Sequence, residues 1–166
     1  MRHPNIRNID EVEAREMTRG RHRMRLTRVG DAAGSRKLGA IVTEVAPGAI
    51  SFPFHAHTAA EEAIYVLSGS GEARIGTARV AVRPGDWIAF PVGPEHAHQM
   101  INTSPSEPLL YLCVSTQEMP DVVFYPDSDK VGVMVPDEKA PLGFRYAGVY
   151  REAQALEYWD GEPEAG

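Results

Sequence analysis

Rhythm constrains the fold of this chain more than any single residue does. Between residues 23 and 115, short apolar segments of four to eight residues alternate with clusters of glycine, proline, serine and aspartate. Read as strands, the segments are 23–29, 38–45, 49–55, 62–67, 72–75, 78–82, 87–90, 98–102 and 109–115. The stretches between them are too short for the crossover helices that a parallel α/β sheet requires, so the pattern predicts an all-β sandwich or barrel of antiparallel strands. Helix is expected in only two places. Residues 10–17 offer about two turns with Asp10 as N-cap and Glu13 three residues later, and 151–158 offer a second short helix.

Beyond Ser115 the rhythm weakens, and proline and aspartate interrupt the apolar runs. Phe124, Tyr125, Phe144, Tyr146, Tyr150, Tyr158 and Trp159 are too much aromatic surface to leave in water, so this part is expected to be an ordered extension lying on the core. Only GEPEAG at the end reads as free. A chain of 166 residues with 43% hydrophobic and 24% charged residues fits one globular domain and excludes collagen-like, coiled-coil and wholly disordered classes. No apolar run approaches the length of a bilayer span, and the opening MRHPNIRNID has no apolar signal segment, which predicts a cytoplasmic protein. Cys113, in LLYLCVST, reads as a buried strand residue.

The net charge of −6 argues against nucleic acid or an anionic membrane as partner. It conceals an asymmetry. Residues 1–28 hold eight arginines against four acids, and residues 118–166 hold eleven acids against four bases, so the two ends are expected to complement each other within a chain or across a dimer. In RHRMR, Arg21, Arg23 and Arg25 alternate. An extended strand would put them on one face, either as a solvated surface or as a row of guanidinium groups for a phosphate or carboxylate.

The chemistry is concentrated in two stretches. In PGAISFPFHAHTAAEEAIYVLSGSG, His55 and His57 stand two residues apart, so a strand would aim both imidazoles at one point. Glu62 opens the next apolar segment, which a short turn is expected to bring back beside the first. In PGDWIAFPVGPEHAHQMIN a second pair, His96 and His98, has the same spacing. Two imidazoles and a carboxylate from one strand pair, closed by an imidazole from another, make a facial site for a divalent transition metal (Mn, Fe, Ni, Co or Zn) with open positions left over.

These two stretches resemble the paired motifs of the cupin superfamily. Gly48, His55, His57, Glu62 and Gly69 follow the order of the first motif, with one extra residue between Gly48 and His55. Gly85, Pro91, Gly93, a histidine and Asn102 follow the second. Counting forward from Gly93 selects His96 as that histidine, and counting back from Asn102 selects His98. His98 begins the apolar segment and is preferred; His96 then stands at the mouth as a proton-transfer group. The resemblance implies a double-stranded β-helix, or jelly-roll barrel, as one domain over 1–166: a core of about 38–115, an N-terminal extension 1–37 and a C-terminal extension 116–166 packed on the barrel. It also implies metal ligands His55, His57, Glu62 and His98. Because EAIYVL and LLYLCVS are apolar on both faces, a homodimer is expected.

The tail segments LCVSTQEMPDVVFYPDSDKVGV and YWDGE are further similar to a group of small bacterial cupins provisionally labelled sugar phosphate isomerases. That resemblance implies isomerisation of a small anionic metabolite, for which His96, by its place at the mouth, is the candidate catalytic base. The same residues also fit a metal-dependent iron dioxygenase or lyase, and a non-enzymatic cupin that binds a small molecule. The arginine row is the support for a phosphate.

Overall fold

The computed structural model describes residues 2–136 and 144–163. In chain order its strands are β1 (Arg15–Arg19), β2 (His22–Thr27), β3 (Leu38–Val45), β4 (Ala56–His57), β5 (Glu62–Ser68), β6 (Gly71–Ile75), β7 (Ala78–Val82), β8 (Trp87–Phe90), β9 (His98–Ile101), β10 (Leu109–Thr116), β11 (Asp121–Tyr125), β12 (Lys130–Pro136) and β13 (Phe144–Arg151). The one α-helix among these residues, α1 (Val29–Ala32), is a single turn. All ladders between strands are antiparallel, as the short connections require. No helix among the described residues is long and apolar enough to cross a membrane.

Six strands form one sheet in the order β1-β2-β3-β10-β5-β8. Facing them are a four-stranded sheet, β13-β12-β11-β4, and a three-stranded one, β7-β6-β9. The two smaller sheets meet where His55 and His98 form an antiparallel bridge, with His55 N to His98 O at 3.2 Å and His98 N to His55 O at 2.8 Å. This is a jelly-roll arrangement. Strand alternation sends Val45, Ile64, Val66, Phe90, Met100, Leu109 and Tyr111 into one buried apolar cluster between the layers.

Several expected elements change form for local reasons. Residues 49–55 do not make a strand; their strand-like pairing is limited to isolated bridges at Ile50 and His55, and Pro53 between them has no N–H to give a ladder. The expected helix at 10–17 is one 3₁₀ turn, Ile9–Glu11, capped by Asn8 instead of Asp10, and the chain then enters β1. That strand pairs with β2 across a tight turn at Gly20, and long-range pairing outweighs the helical signal. Residues 151–158 likewise hold only a 3₁₀ turn, Glu152–Gln154. The C-terminal extension is more regular than expected, since β11, β12 and β13 complete the four-stranded sheet. Its last aromatics do not lie on the barrel: Tyr158 and Trp159 are 82% and 75% exposed. Residues 137–143 and the final three residues of GEPEAG lie outside the described part.

The two glycine-bounded motifs also shape the turns. Gly69, between β5 and β6, has φ +77°, and a Cβ there would stand 2.1 Å from the Pro108 carbonyl oxygen, so both conformation and contact require glycine. Asn102 ends β9 and is buried. Its amide donates to the carbonyls of Val45 at 2.9 Å and Glu107 at 2.8 Å, and its Oδ1 accepts from Ser104 N at 2.9 Å. One side chain thus ties β3, β9 and the 103–108 loop together. Asn102→Ala would take the partner from three backbone groups, of which the Val45 carbonyl is buried, and we expect it to lower unfolding free energy by about 2 kcal/mol, measured by urea denaturation.

Candidate metal centre

Glu62 occupies the inward face at the start of β5, and the histidines approach it from the opposite layer. The turn after β4 therefore carries the chain across the lumen. The expectation that β5 returns beside the HxH segment is corrected here: β4 pairs with β11, through His57 with Val123 and Ala56 with Phe124. The reason is local. The N–H groups of Thr58 and Ala59 donate to the Asp121 carboxylate at 3.1 and 2.9 Å, and Thr58 N donates to Val122 O at 3.0 Å, so β11 takes the pairing edge.

Three imidazole nitrogens converge on one carboxylate oxygen. From Glu62 Oε2, His98 Nε2 lies 3.0 Å away, His57 Nε2 3.7 Å and His55 Nε2 3.8 Å. Donor atoms of His55, Glu62 and His98 all fall within 4.8 Å of one another, a group that could hold a metal ion. His57 joins through Glu62 and stands outside that tighter group. The opposite ring nitrogens each face an oxygen: His55 Nδ1 the Pro53 carbonyl at 2.7 Å, His98 Nδ1 the His96 carbonyl at 3.2 Å, and His57 Nδ1 Asp121 Oδ2 at 2.5 Å. Protons held at Nδ1 would leave the Nε2 lone pairs directed at the common point, the donor arrangement that a divalent transition metal needs, whereas a proton on His98 Nε2 makes the hydrogen bond to Glu62 Oε2 at 3.0 Å. The ring of His98 is fixed further by stacking on Phe90, centroid to centroid 3.8 Å.

Electrostatics follow from burial and company. Burial, reinforced by the charge of His98, pushes the His55 pKa down to about 4, so this imidazole is neutral near pH 7. Burial also acts against a charge on His57, but the Asp121 hydrogen bond and the nearby carboxylates outweigh it and raise its pKa. For Glu62 burial favours the neutral acid. The hydrogen bond from His98 and the surrounding imidazoles win, holding the carboxyl below its usual range. Asp121 shows the same balance, with burial overcome by His57 and by two backbone N–H groups. Cys113 lines the same space with its thiol pushed well up by burial and by Glu62, so it stays protonated, in keeping with a strand residue.

The group opens into a cavity of about 360 Å³ whose lining combines the apolar Ile41, Ile64, Phe52 and Met100 with the hydroxyls of Thr43, Ser51 and Tyr111. His96 is not in that lining. It sits in a 3₁₀ turn, Pro94–His96, with its ring 3.7 Å from Glu95, and reaches the site through its carbonyl oxygen. Glu61 points to the outer surface, as its parity with Glu62 requires.

The arginine row is the solvated face, and the alternative of a phosphate-binding row beside the site is not borne out. In β2 it is Met24 and Leu26 that turn inward, and Arg21, Arg23 and Arg25 are exposed on the other face. Arg23 donates to the Pro47 carbonyl at 2.8 Å, and Arg25 lies 3.9 Å from Glu16. Arg21 lines a separate open depression with Arg19, His22 and Lys130. None of the three borders the cavity, and among the described residues their ion pairing does not involve the acidic tail. Asp121 is the residue that sequence reasoning missed. Its signal was available only as a lone acid opening an apolar run in the extension.

Asp121→Ala should leave the Ala59 N–H without its acceptor and free the His57 ring. We expect unfolding free energy to fall by about 3–5 kcal/mol, whereas Asp121→Asn, which keeps an acceptor, should cost less and change the His57 Nδ1–H signal in proton NMR.

With this geometry in hand, comparisons place the chain among known proteins. Residues 41–115 match the family model described as a cupin domain. A protein from Acidithiobacillus ferrooxidans, provisionally named a sugar phosphate isomerase, is 25% identical with a TM-score of 0.79, covering 93% of this chain and 96% of its own. A sugar phosphate isomerase from a cupin superfamily, from Silicibacter pomeroyi, is 26% identical with a TM-score of 0.74, covering 92% and 96%. The polyketide cyclase RemF of Streptomyces resistomycificus, also 26% identical, has a TM-score of 0.57 and covers 69% of this chain and 80% of its own. No curated protein matches.

Proposed function

We propose, from the match of residues 41–115 to a cupin domain and from the site geometry, that this chain is a metal-dependent isomerase acting on a small anionic metabolite such as a sugar phosphate. The observation that carries the reading is the convergence of three imidazole Nε2 atoms on Glu62 Oε2 inside a cavity of metabolite size. Two neighbours of nearly full mutual coverage bear sugar phosphate isomerase names, which supports the reaction class by likeness.

In this reading His55, His57, Glu62 and His98 hold the metal, and the residues of the chain divide the remaining work. A divalent transition metal bound there supplies a Lewis acid for a carbonyl or hydroxyl oxygen of the substrate. Asp121 keeps the His57 proton on Nδ1, and the Pro53 and His96 carbonyls do the same for His55 and His98. Ile41, Ile64, Phe52 and Met100 exclude water from the cavity wall. His96 as the proton-transfer group requires its ring to turn from Glu95 into the cavity. The chain is read as one cupin domain over 1–166, with 38–115 as core and both ends as extensions.

Metal analysis of protein purified without chelator should find about one transition metal per chain, and Glu62→Ala and His98→Ala should each lower metal affinity about tenfold or more. Interconversion of aldose and ketose phosphates, followed by carbon NMR, should proceed without oxygen. Activity that requires iron and dioxygen would replace this reading with an oxygenase.

The outer face of the six-stranded sheet supports the homodimer. Trp87 is 60% exposed, and Tyr65, its cross-strand partner, and Leu67 are each about 40% exposed. Leu112 and Val114 on β10 continue the same face. An apolar surface of this kind needs a cover, and a second copy meets it with the same chemistry. Trp87→Glu should shift the protein to a monomer in sedimentation velocity, with metal content unchanged.

A further inference from the structure

We propose that Arg28 and the Thr43 hydroxyl select the ligand of this cavity: an organic oxyanion, phosphate ester or carboxylate, that also carries hydroxyl groups. The inference rests on the metal-site reading for where the rest of the ligand lies, but its own observations are separate. Among the described residues, Arg28 is the only lysine or arginine that lines the cavity. It also borders the adjoining cavity of about 230 Å³ that reaches His57, Glu62 and Asp121. It follows β2 directly and precedes α1, so the strand ladder to β3 fixes where its side chain begins.

Arg28 is available for a ligand. The hydrogen bond recorded for its guanidinium goes from Nη1 to Asp31 Oδ2 at a long 3.3 Å, and both partners are largely exposed, so an incoming oxyanion competes on favourable terms. A guanidinium presents paired N–H groups that match two oxygens of a phosphate or carboxylate. The exposed arginines of β2 lack such a setting. They lie on the opposite face of their strand.

The second observation is deeper in the same space. Thr43 is fully buried and lines the cavity, and its Oγ1 makes no hydrogen bond of good geometry among the described residues, with the Tyr111 phenol as its near polar neighbour. A buried hydroxyl without a partner is uncommon in a native protein and invites one from the ligand. Ser51 beside it accepts from Met100 N at 3.0 Å and also faces the Tyr111 phenol. The lining therefore offers buried hydroxyl groups together with one positive charge from an exposed side chain. A molecule spanning them has an anionic end at Arg28 and oxygens along its length.

The test uses the full-length, metal-loaded protein and titration calorimetry with ribose 5-phosphate, ribonate, ribose and inorganic phosphate, with metal content and melting temperature measured for each variant. Ribose 5-phosphate or ribonate should bind more tightly than ribose, and whichever is tighter identifies the anion. Arg28→Ala should weaken that binding about 10- to 100-fold, Arg28→Lys should restore part of it, and Arg21→Ala should leave it unchanged. Thr43→Val should weaken the sugar anion and leave inorganic phosphate unaffected. Equal binding of ribose and its anions, absence of binding by all four compounds, or insensitivity to Arg28→Ala overturns the proposal. A chain that carries no metal yet binds ribose 5-phosphate through Arg28 overturns the metal reading and upholds this one.

Discussion

The bridge between His55 and His98 is the constraint on which the rest of the site depends. Two backbone hydrogen bonds between these residues join the three-stranded and four-stranded sheets into one layer facing the six-stranded sheet. The same two residues carry imidazoles that meet at Glu62. Fold and site are therefore one interaction: any shift of one small sheet against the other would separate the donors by the same amount. Burial of Phe90 and Met100 on either side of His98 makes such a shift costly, because a close-packed interior resists displacement.

Each inward-facing donor has an outer partner that sets its direction. The Pro53 carbonyl, the His96 carbonyl and the Asp121 carboxylate face the three Nδ1 atoms. Two of these partners lie only two residues from the histidine they hold, so local chain geometry supplies them. The third comes from sixty-four residues away. It also takes up the N–H groups of Thr58 and Ala59, and so bends the chain toward Glu62 at the same time as it orients His57.

What was legible in the sequence follows the range of the interactions. Alternation and turn residues are local, and they gave the antiparallel architecture and most strand positions. The i, i+2 spacing of His55 and His57 survives even though residues 49–55 are not a strand, because a single bridge at His55 is enough to preserve parity. The crossing of the chain between layers was hidden, since it depends on Asp121 taking the N–H groups of the turn. The helix expected at 10–17 failed for a similar reason, as β1 finds its partner in β2. The arginine alternation was read correctly as one face, but periodicity does not say which face points inward; Met24 and Leu26 decide that by burial. The choice of His98 over His96 drew on where the apolar segment begins, and β9 does start at His98.

The place of Asp121 has a consequence for how such barrels diversify. The residues that match the family end at 115, six positions before the carboxylate that orients His57. A change in the strands that follow, by insertion, loss or exchange, reaches the electron density of an imidazole without touching any residue of the two histidine motifs. In the metal reading proposed above, the C-terminal strands would tune the basicity of His57, and two barrels with identical motifs but different tails would not hold a metal with the same strength.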